Sequence, residues 1–155
     1  MPLHRFFIPK GLYTASDKAA IARAVTEVYK ILPKFYVVVL FIELDADPEN
    51  SNFFVGGEPN ARFVRIAVEH YARNFGDDDQ RKRMFMDRYE AALEPFTKGR
   101  GIDWEVQVSD ADRVLWNENG VAPPVPGSEG EKIWKQENRA VSAEEMEALK
   151  AQGRL

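Results

Sequence analysis

The residue with the most distinctive potential chemistry is Pro2, which stands directly after Met1. Removal of Met1 would leave the Pro2 nitrogen as a free secondary amine, and a chain-terminal amine has an ordinary pKa of about 7.7–8.0. Burial lowers that pKa, whereas a nearby carboxylate raises it. A free Pro2 is therefore a candidate general base, general acid or imine-forming nucleophile. The structural alternative is a proline that only starts a strand, where its missing N–H costs nothing.

The composition predicts a soluble globular protein. The chain has 155 residues, of which 45% are hydrophobic and 30% are charged, and its net charge of -4 argues against a nucleic-acid partner. It contains no cysteine, which excludes disulfides, cysteine catalysis and thiolate metal sites. The sequence has no apolar run long enough to cross a bilayer, and its first residues lack the apolar core of a signal peptide. We therefore expect a cytoplasmic protein without a membrane partner.

The pattern over about residues 2–44 predicts a first β-α-β unit. A short strand over Leu3 to Ile8 is followed by Thr14 to Asp17, which has the pattern of a helix capping box. The helix is predicted to stop at Pro33. Phe35 to Ile42 is apolar throughout, which predicts a strand buried on both faces and parallel to the first strand.

The pattern over about residues 62–109 predicts a second β-α-β unit, with strand, helix and strand in the same order. Phe63 to Glu69 is the candidate strand, and Asp77 to Asp79 place negative charge at the start of a helix, where the helix dipole favours it. Gly99 and Gly101 are predicted to end this helix. Ile102 to Val108 alternates with a period of two, which predicts the closing strand. The fold class is therefore α/β (α+β).

The remaining residues predict a tail. Gly120 to Gly127 is too rich in proline and glycine for regular structure, and Trp134 beyond it predicts a segment that packs on the body. A capping box at Ser142 predicts a short helix that ends near Gly153. We expect one domain over 1–134, followed by a tail over 135–155.

Strand alternation also makes His4 a candidate for the site. In a strand, residues two apart face the same side, so His4 shares a face with Pro2 and is expected to line any pocket there. Arg5 is expected to face the other way, on the side where a neighbouring subunit could lie.

Three groups of residues, in this order along the chain, carry a resemblance to a known family. They are Pro2 on the first strand, Asn52 to Gly57 after the first unit, and Glu118-x-Gly120 through Gly130-Glu131. Together they resemble the tautomerase superfamily, and within it the cis-3-chloroacrylic acid dehalogenase-like group. The resemblance implies two β-α-β units about a pseudo-twofold axis, assembly as a homotrimer, and no cofactor or metal.

The resemblance implies roles for individual residues. Pro2 matches the catalytic proline, and Glu118 matches the acid that helps dehalogenases activate water. Arg73 falls where the dehalogenases carry two arginines for the substrate carboxylate, and His70 either takes the place of the other arginine or only neighbours it. From the residues alone, the favoured interpretation of Glu118 is a solvated loop carboxylate, and that of His70 is a structural hydrogen-bonding group.

Two departures from the dehalogenase pattern bear on the reaction. Tyr29 stands where those enzymes have a histidine that contacts substrate, and its phenol either donates a hydrogen bond or only packs. Val106 stands where they have a tyrosine. These losses weaken the case for dehalogenation and favour a simpler proton shuttle, which needs mainly Pro2 and an anion anchor.

Three hypotheses follow. The first is a cofactor-independent tautomerase that acts on a small enol or keto carboxylic acid, with Pro2, Glu118 and Tyr29 as catalytic candidates and Arg73, His70 and His4 as substrate-binding candidates. The second is a hydratase or dehalogenase of 3-haloacrylate-like acids. The third is a catalytically silent trimer, which follows if Met1 is retained and the Pro2 nitrogen stays an amide.

Overall fold

The protein is seen in a computed structural model that describes residues 2–153, so Met1, whose removal the proline chemistry requires, lies outside the described residues. The strands are β1 (Pro2–Pro9), β2 (Val38–Leu44), β3 (Phe54–Val55), β4 (Glu58–Pro59), β5 (Phe63–His70) and β6 (Asp103–Asp110). The α-helices are α1 (Ala15–Val28), α2 (Asp79–Leu93), α3 (Glu129–Glu137) and α4 (Ala143–Ala151). Single 3₁₀ turns lie at Lys34–Tyr36, Glu94–Phe96, Lys98–Arg100 and Arg113–Leu115.

The four long strands form one sheet in the order β2-β1-β5-β6. The outer pairs, β1 with β2 and β5 with β6, are parallel, and the central strands β1 and β5 are antiparallel. Each parallel pair is joined by a crossover helix, so the chain forms two consecutive β-α-β units related by a pseudo-twofold between β1 and β5. The predicted fold class is confirmed. The central register pairs Pro2 with His70 and Phe6 with Ile66.

The first helix starts as predicted and ends earlier. The Thr14 hydroxyl accepts from the Asp17 N–H, and the Asp17 carboxylate accepts from the Thr14 N–H, which completes the capping box. Ile21, Val25 and Val28 are buried. The helix ends at Val28 and not at Pro33, because the N–H of Tyr29 already bonds to the carbonyl of Thr26 in a tightened last turn.

The second strand differs from the prediction in where it starts and in how much of it is buried. It begins at Val38, because residues 34–36 form a 3₁₀ turn, and it is not buried on both faces. It lies at the edge of the sheet, and Leu40 is 45% exposed. Val39 and Phe41 pack partly against the core, since their register with His4 and Phe6 turns them to the same face.

The second helix begins where the acidic run predicts. The Asp78 carboxylate accepts from the N–H of Arg81, and Phe85, Tyr89 and Leu93 are buried. The helix ends at Leu93 and not at Gly99. Pro95 follows, and a proline lacks the N–H that a continuing helix needs.

The C-terminal segment formed by α3 and α4 packs on the end of the sheet from which β2 starts. Trp134 is fully buried, as its predicted docking requires, and its indole N–H donates to the carbonyl of Val141 at 2.7 Å. Its ring lies 5.9 Å from Phe35 and 6.0 Å from Tyr36. The predicted capping box at Ser142 is present. The division into 1–134 and 135–155 stays a prediction.

The α3 helix was not predicted, although Ser128 and Glu131 have the spacing of a capping box. Ser128 is its N-cap and accepts from the Glu131 N–H. Within residues 2–153, no helix is long and apolar enough to cross a membrane.

Candidate functional site

Pro2 opens the central strand at the end of the sheet where the site residues gather. It is buried and forms the register pair of His70 on the antiparallel neighbour β5. Such cross-strand pairs have Cα atoms about 4.5–5.5 Å apart. On its other side, β1 pairs with the start of β2 through Leu3 and Val38. Pro2 therefore lies between the beginning of β2 and the end of β5, where both connections to the helices pass.

His4 lies on the same face as Pro2, as alternation predicts, but it is enclosed. It is 0% exposed, and its Nδ1 lies 2.8 Å from the hydroxyl of Tyr89. The Tyr29 ring contacts it edge-on at 5.4 Å. Burial, with a smaller contribution from His70, lowers the pKa of His4 to about 3. His4 is therefore neutral at pH 7 and is placed to support the site from behind.

His70 is also neutral at pH 7. It is 2% exposed, and burial lowers its pKa to about 4, although the nearby Asp110 carboxylate acts in the opposite direction. Its Nδ1 lies 3.6 Å from Asp110 Oδ1, beyond hydrogen-bonding distance. Its ring stacks on Phe75 at 4.7 Å. A neutral imidazole can exchange a hydrogen bond with a ligand but cannot neutralise a carboxylate.

Arg73 is tied to α3 by a partly buried ion pair. One guanidinium nitrogen donates to the carbonyl of Ala72 at 2.9 Å, and the other donates to Glu131 Oε2 at 2.6 Å. The same carboxylate oxygen accepts from the Gly127 N–H at 2.8 Å. Burial acts to raise the pKa of Glu131, but the hydrogen bonds from Arg73 and Gly127 prevail and hold it below its ordinary value. The charge of Arg73 is therefore largely compensated within the chain.

Tyr29 follows α1 and points its phenol into the interior. It is 5% exposed, and its hydroxyl has no hydrogen-bond partner among the described residues. Burial raises its pKa well above the ordinary value, so the phenol stays protonated. The ring centroid of His70 is 5.7 Å away.

Tyr29, His70 and Arg73 share one cleft of about 710 Å³, which we call the helical cleft. It lies between the end of α1 and the first half of α2. Its apolar and aromatic walls are formed by Val28, Tyr29, Leu32, Phe75, Met84 and Phe85. Its charged residues are Arg73, Arg81, Arg88 and Asp87. Pro2, His4 and Glu118 are not among the described residues that line it.

Glu118 is held on a tight turn. Its N–H and C=O pair with those of Val121 at 2.9 Å, and Asn119 and Gly120 both have positive φ. This is the type I′ turn that an Asn-Gly sequence favours. Glu118 Oε2 accepts from the Trp116 indole at 3.2 Å.

Tyr36 connects the surroundings of Glu118 with those of Arg73. It is 1% exposed, its ring meets Trp116 edge-on at 4.8 Å, and its hydroxyl has no hydrogen-bond partner among the described residues. Burial raises its pKa above the ordinary value, and Glu131 and Glu118 act in the same direction. Glu118 therefore lies near Tyr36 and Trp116 and does not line the helical cleft.

Sequence reasoning missed Tyr36, Arg88 and the role of Glu131. Tyr36 falls within a segment of strand-like composition, and Arg88 lies on a helix face that pattern alone does not distinguish from a solvated one. The capping-box spacing at Ser128 was the available signal for α3, which carries Glu131. Among residues 2–153, no group of three or more His, Asp or Glu is placed to hold a metal ion.

Comparison with solved structures identifies relatives along most of the chain. RhCC from Rhodococcus jostii RHA1 is 38% identical, with 90% of this chain and 99% of that chain covered and a TM-score of 0.82. N1, a member of the cis-3-chloroacrylic acid dehalogenase family, is 20% identical, with 88% and 97% covered and a TM-score of 0.69. A fused 4-OT symmetric trimer is also 20% identical, with 81% and 99% covered and a TM-score of 0.61. At 20% identity, the last two show a common fold.

Comparison with curated proteins gave no match. A family model described as "Putative oxalocrotonate tautomerase enzyme" matches residues 1–139. The sheet order, the proline that opens β1 and the resemblance found in the sequence agree with this match. The chain belongs to this tautomerase family.

Proposed function

We propose that the protein is a cofactor-independent tautomerase that acts on a small enol or keto carboxylic acid. The observation that carries the proposal is the position of Pro2, buried at the start of β1 and opposite His70, which lines the same cleft as Arg73. Burial of a free Pro2 amine would favour its neutral form over the ammonium ion, and the neutral form is the one that accepts a proton.

In this proposal Pro2 removes a proton from the carbon next to a carbonyl and returns it elsewhere. Arg73 attracts the substrate carboxylate and stabilises the developing enolate charge. The protonated phenol of Tyr29 and the neutral imidazole of His70 supply hydrogen bonds, while Glu118 orients the substrate. His4 lies behind this group and holds its place through Tyr89.

We further propose that the protein is a homotrimer. The resemblance implies this assembly, and the fused 4-OT protein of the same fold is a symmetric trimer. The sheet face opposite the helices supports assembly, since it carries Leu40, which is 45% exposed, and the Arg5–Glu69 ion pair at 2.5 Å.

The test combines intact mass with turnover. Protein produced without an N-terminal tag is expected to have lost Met1 and to ketonise phenylenolpyruvate, and Pro2→Ala is expected to abolish that turnover. A free Pro2 without turnover of any enol or keto acid would refute the proposal. A mass that retains Met1 would leave an amide at Pro2 and would favour a catalytically silent protein.

Hydration or dehalogenation is a second candidate, favoured by the fixed position of Glu118. Its backbone is held by the Asn119-Gly120 turn and its carboxylate accepts from Trp116, which is the kind of anchoring that a water-activating base needs. Product from 3-haloacrylates or acetylenic acids would support this reaction, and its absence would dismiss it.

A further inference from the structure

The helical cleft is larger and more apolar than a short acid requires. Its volume of about 710 Å³ lies within the range of sites that enclose drug-sized ligands, roughly 300–1,000 Å³. Two apolar side chains at its mouth are exposed, with Ile31 66% and Met84 63% accessible. A ligand tail that covered them would remove apolar area from water, which favours binding.

The charge of the lining fits a monoanion. Glu131 already compensates Arg73, which leaves Arg81 and Arg88 against Asp87, two positive charges against one negative. Neither Arg81 nor Arg88 forms an ion pair with another residue of 2–153. Their guanidinium carbons lie 5.6 Å from the Phe75 ring centroid and 5.9 Å from that of Phe85, so the cations border apolar surface.

A buried polar atom also points to a ligand. The Tyr29 hydroxyl belongs to a side chain that lines the cleft, is 5% exposed and lacks a hydrogen-bond partner among the described residues. Leaving such a group unsatisfied is unfavourable, and a ligand oxygen that accepted its hydrogen bond would remove that cost.

We propose that the helical cleft binds monocarboxylic acids with an aromatic or extended aliphatic tail. The inference rests on the proposed function, because it identifies this ligand with the substrate of Pro2. His70 makes that connection, since it both lines the cleft and pairs with Pro2 across the sheet. The tail occupies the apolar walls, and Arg88 and Arg81 attract the carboxylate together with Arg73, whose charge Glu131 already compensates in part.

The test measures binding without chemistry. Isothermal titration calorimetry is run with 3-phenylpropanoate, propanoate and 3-phenylpropan-1-ol, none of which has a keto or enol group that Pro2 could convert. We expect 3-phenylpropanoate to bind at least about tenfold more tightly than either of the others, because only it has both the tail and the charge. Equal affinity for propanoate or for the alcohol would overturn the proposal.

Variants locate the binding. Arg88→Gln is expected to weaken the binding of 3-phenylpropanoate about fivefold or more. Arg83→Gln is an equal charge change on the same helix outside the cleft, and it is expected to change this affinity by less than about twofold. Met84→Glu at the exposed rim is expected to weaken it as well. Equal effects of Arg88→Gln and Arg83→Gln would place the ligand elsewhere and overturn the assignment.

The outcomes separate this inference from the proposed function. Turnover that depends on Pro2, without selective binding of 3-phenylpropanoate, would keep the tautomerase and reject the cleft as its substrate site. Selective binding that Arg88→Gln weakens, in a protein that retains Met1 and shows no turnover, would reject the tautomerase and support the cleft as a binding site.

Discussion

The guanidinium of Arg73 donates to Oε2 of Glu131 at 2.6 Å, across 58 positions of sequence. The arginine that the resemblance assigns to the substrate carboxylate is thus already paired with a carboxylate from α3. The side chains of this pair are 20% and 8% exposed, so water screens the interaction only in part. An anion that binds Arg73 must therefore share this arginine with Glu131 or displace Glu131 from it.

Replacement of Glu131 by glutamine is expected to tighten anion binding while weakening the fold. The amide oxygen still accepts from Arg73 and Gly127, so the guanidinium keeps its place but gains an uncompensated charge. We expect the KM for an enol acid to fall severalfold and the free energy of unfolding to fall by about 1–2 kcal/mol. Steady-state kinetics and urea titration measure both, and a higher KM would show that Glu131 mainly positions Arg73.

Replacement of Glu118 by glutamine distinguishes the two candidate reactions. The amide still accepts from Trp116, so the turn is preserved, but it cannot act as a base. Loss of a general base typically costs about 10²–10⁴-fold, so hydration of an acetylenic acid should fall by that amount, whereas ketonisation should fall by less than about tenfold. Glu49→Gln, in an exposed loop, is the charge-matched control. A ketonisation loss as large as the hydration loss would contradict the role given to Glu118.

Stability is expected to fall as the pH drops below about 6.5. Burial lowers the pKa of His4 to about 3 and that of His70 to about 4, whereas both are near 6.5 in the unfolded chain. Between these values the unfolded state binds more protons, so each histidine contributes a slope of about 1.4 kcal/mol per pH unit. The slope falls to half at pH 6.5 and is nearly zero about one pH unit higher, where the unfolded histidines are also neutral.

Urea unfolding at pH 7.5, 6, 5 and 4.5, at fixed protein concentration, measures this slope. His4→Gln and His70→Gln are each expected to reduce it, since glutamine does not titrate. An unchanged slope in both variants would show that other groups dominate the acid sensitivity.

The hydrogen bond between His4 and Tyr89 is expected to contribute more to the free energy of unfolding than the partly exposed hydrogen bond between Tyr71 and Glu69. Tyr89 is 0% exposed, so Tyr89→Phe leaves a buried imidazole nitrogen without its partner, at a cost of about 1–3 kcal/mol. Tyr71→Phe removes the same atom where water can replace the bond, and we expect under about 1 kcal/mol. Equal losses in chemical denaturation would contradict the structural role of His4.

The contact between α3 and the proline-rich segment is tested at Gly130. A Cβ at this position would meet the Pro124 Cβ at 2.9 Å, closer than real contacts allow. Gly130→Ala is therefore expected to weaken the packing of α3 on the proline-rich segment and to accelerate proteolysis after residue 120, despite the better helix propensity of alanine. Lys132→Ala, exposed on the same helix, is the control. Equal resistance of both variants to proteolysis would show that α3 shifts to accommodate the added methyl group without detaching.

The fold was predictable because its signals are local. Alternation, the capping boxes at Thr14 and Ser142, and the acidic run before α2 each depend on a few neighbouring residues. The errors arose where local and tertiary effects differ. Phe35 and Tyr36 have strand-like composition, but they pack on Trp134 from a turn, and that contact spans about a hundred residues of sequence.

The site was predictable only in part for the same reason. Pro2 is recognisable from its position, and Tyr29, His70 and Arg73 do meet in one cleft. No pattern in the sequence could show that Glu131 neutralises Arg73, that Tyr89 encloses His4, or that Glu118 does not line the helical cleft. Those relationships depend on which helix faces which strand end.

The placement of Glu131 on α3 separates two properties of the candidate site. The sheet holds Pro2 and His70 in register, whereas the electrostatic strength of Arg73 is set by a segment outside both β-α-β units. Mutation in that segment can therefore change which anions the protein accepts while the β1–β5 register stays intact. Such an arrangement gives evolution, or an engineer, a way to diversify substrates without rebuilding the scaffold.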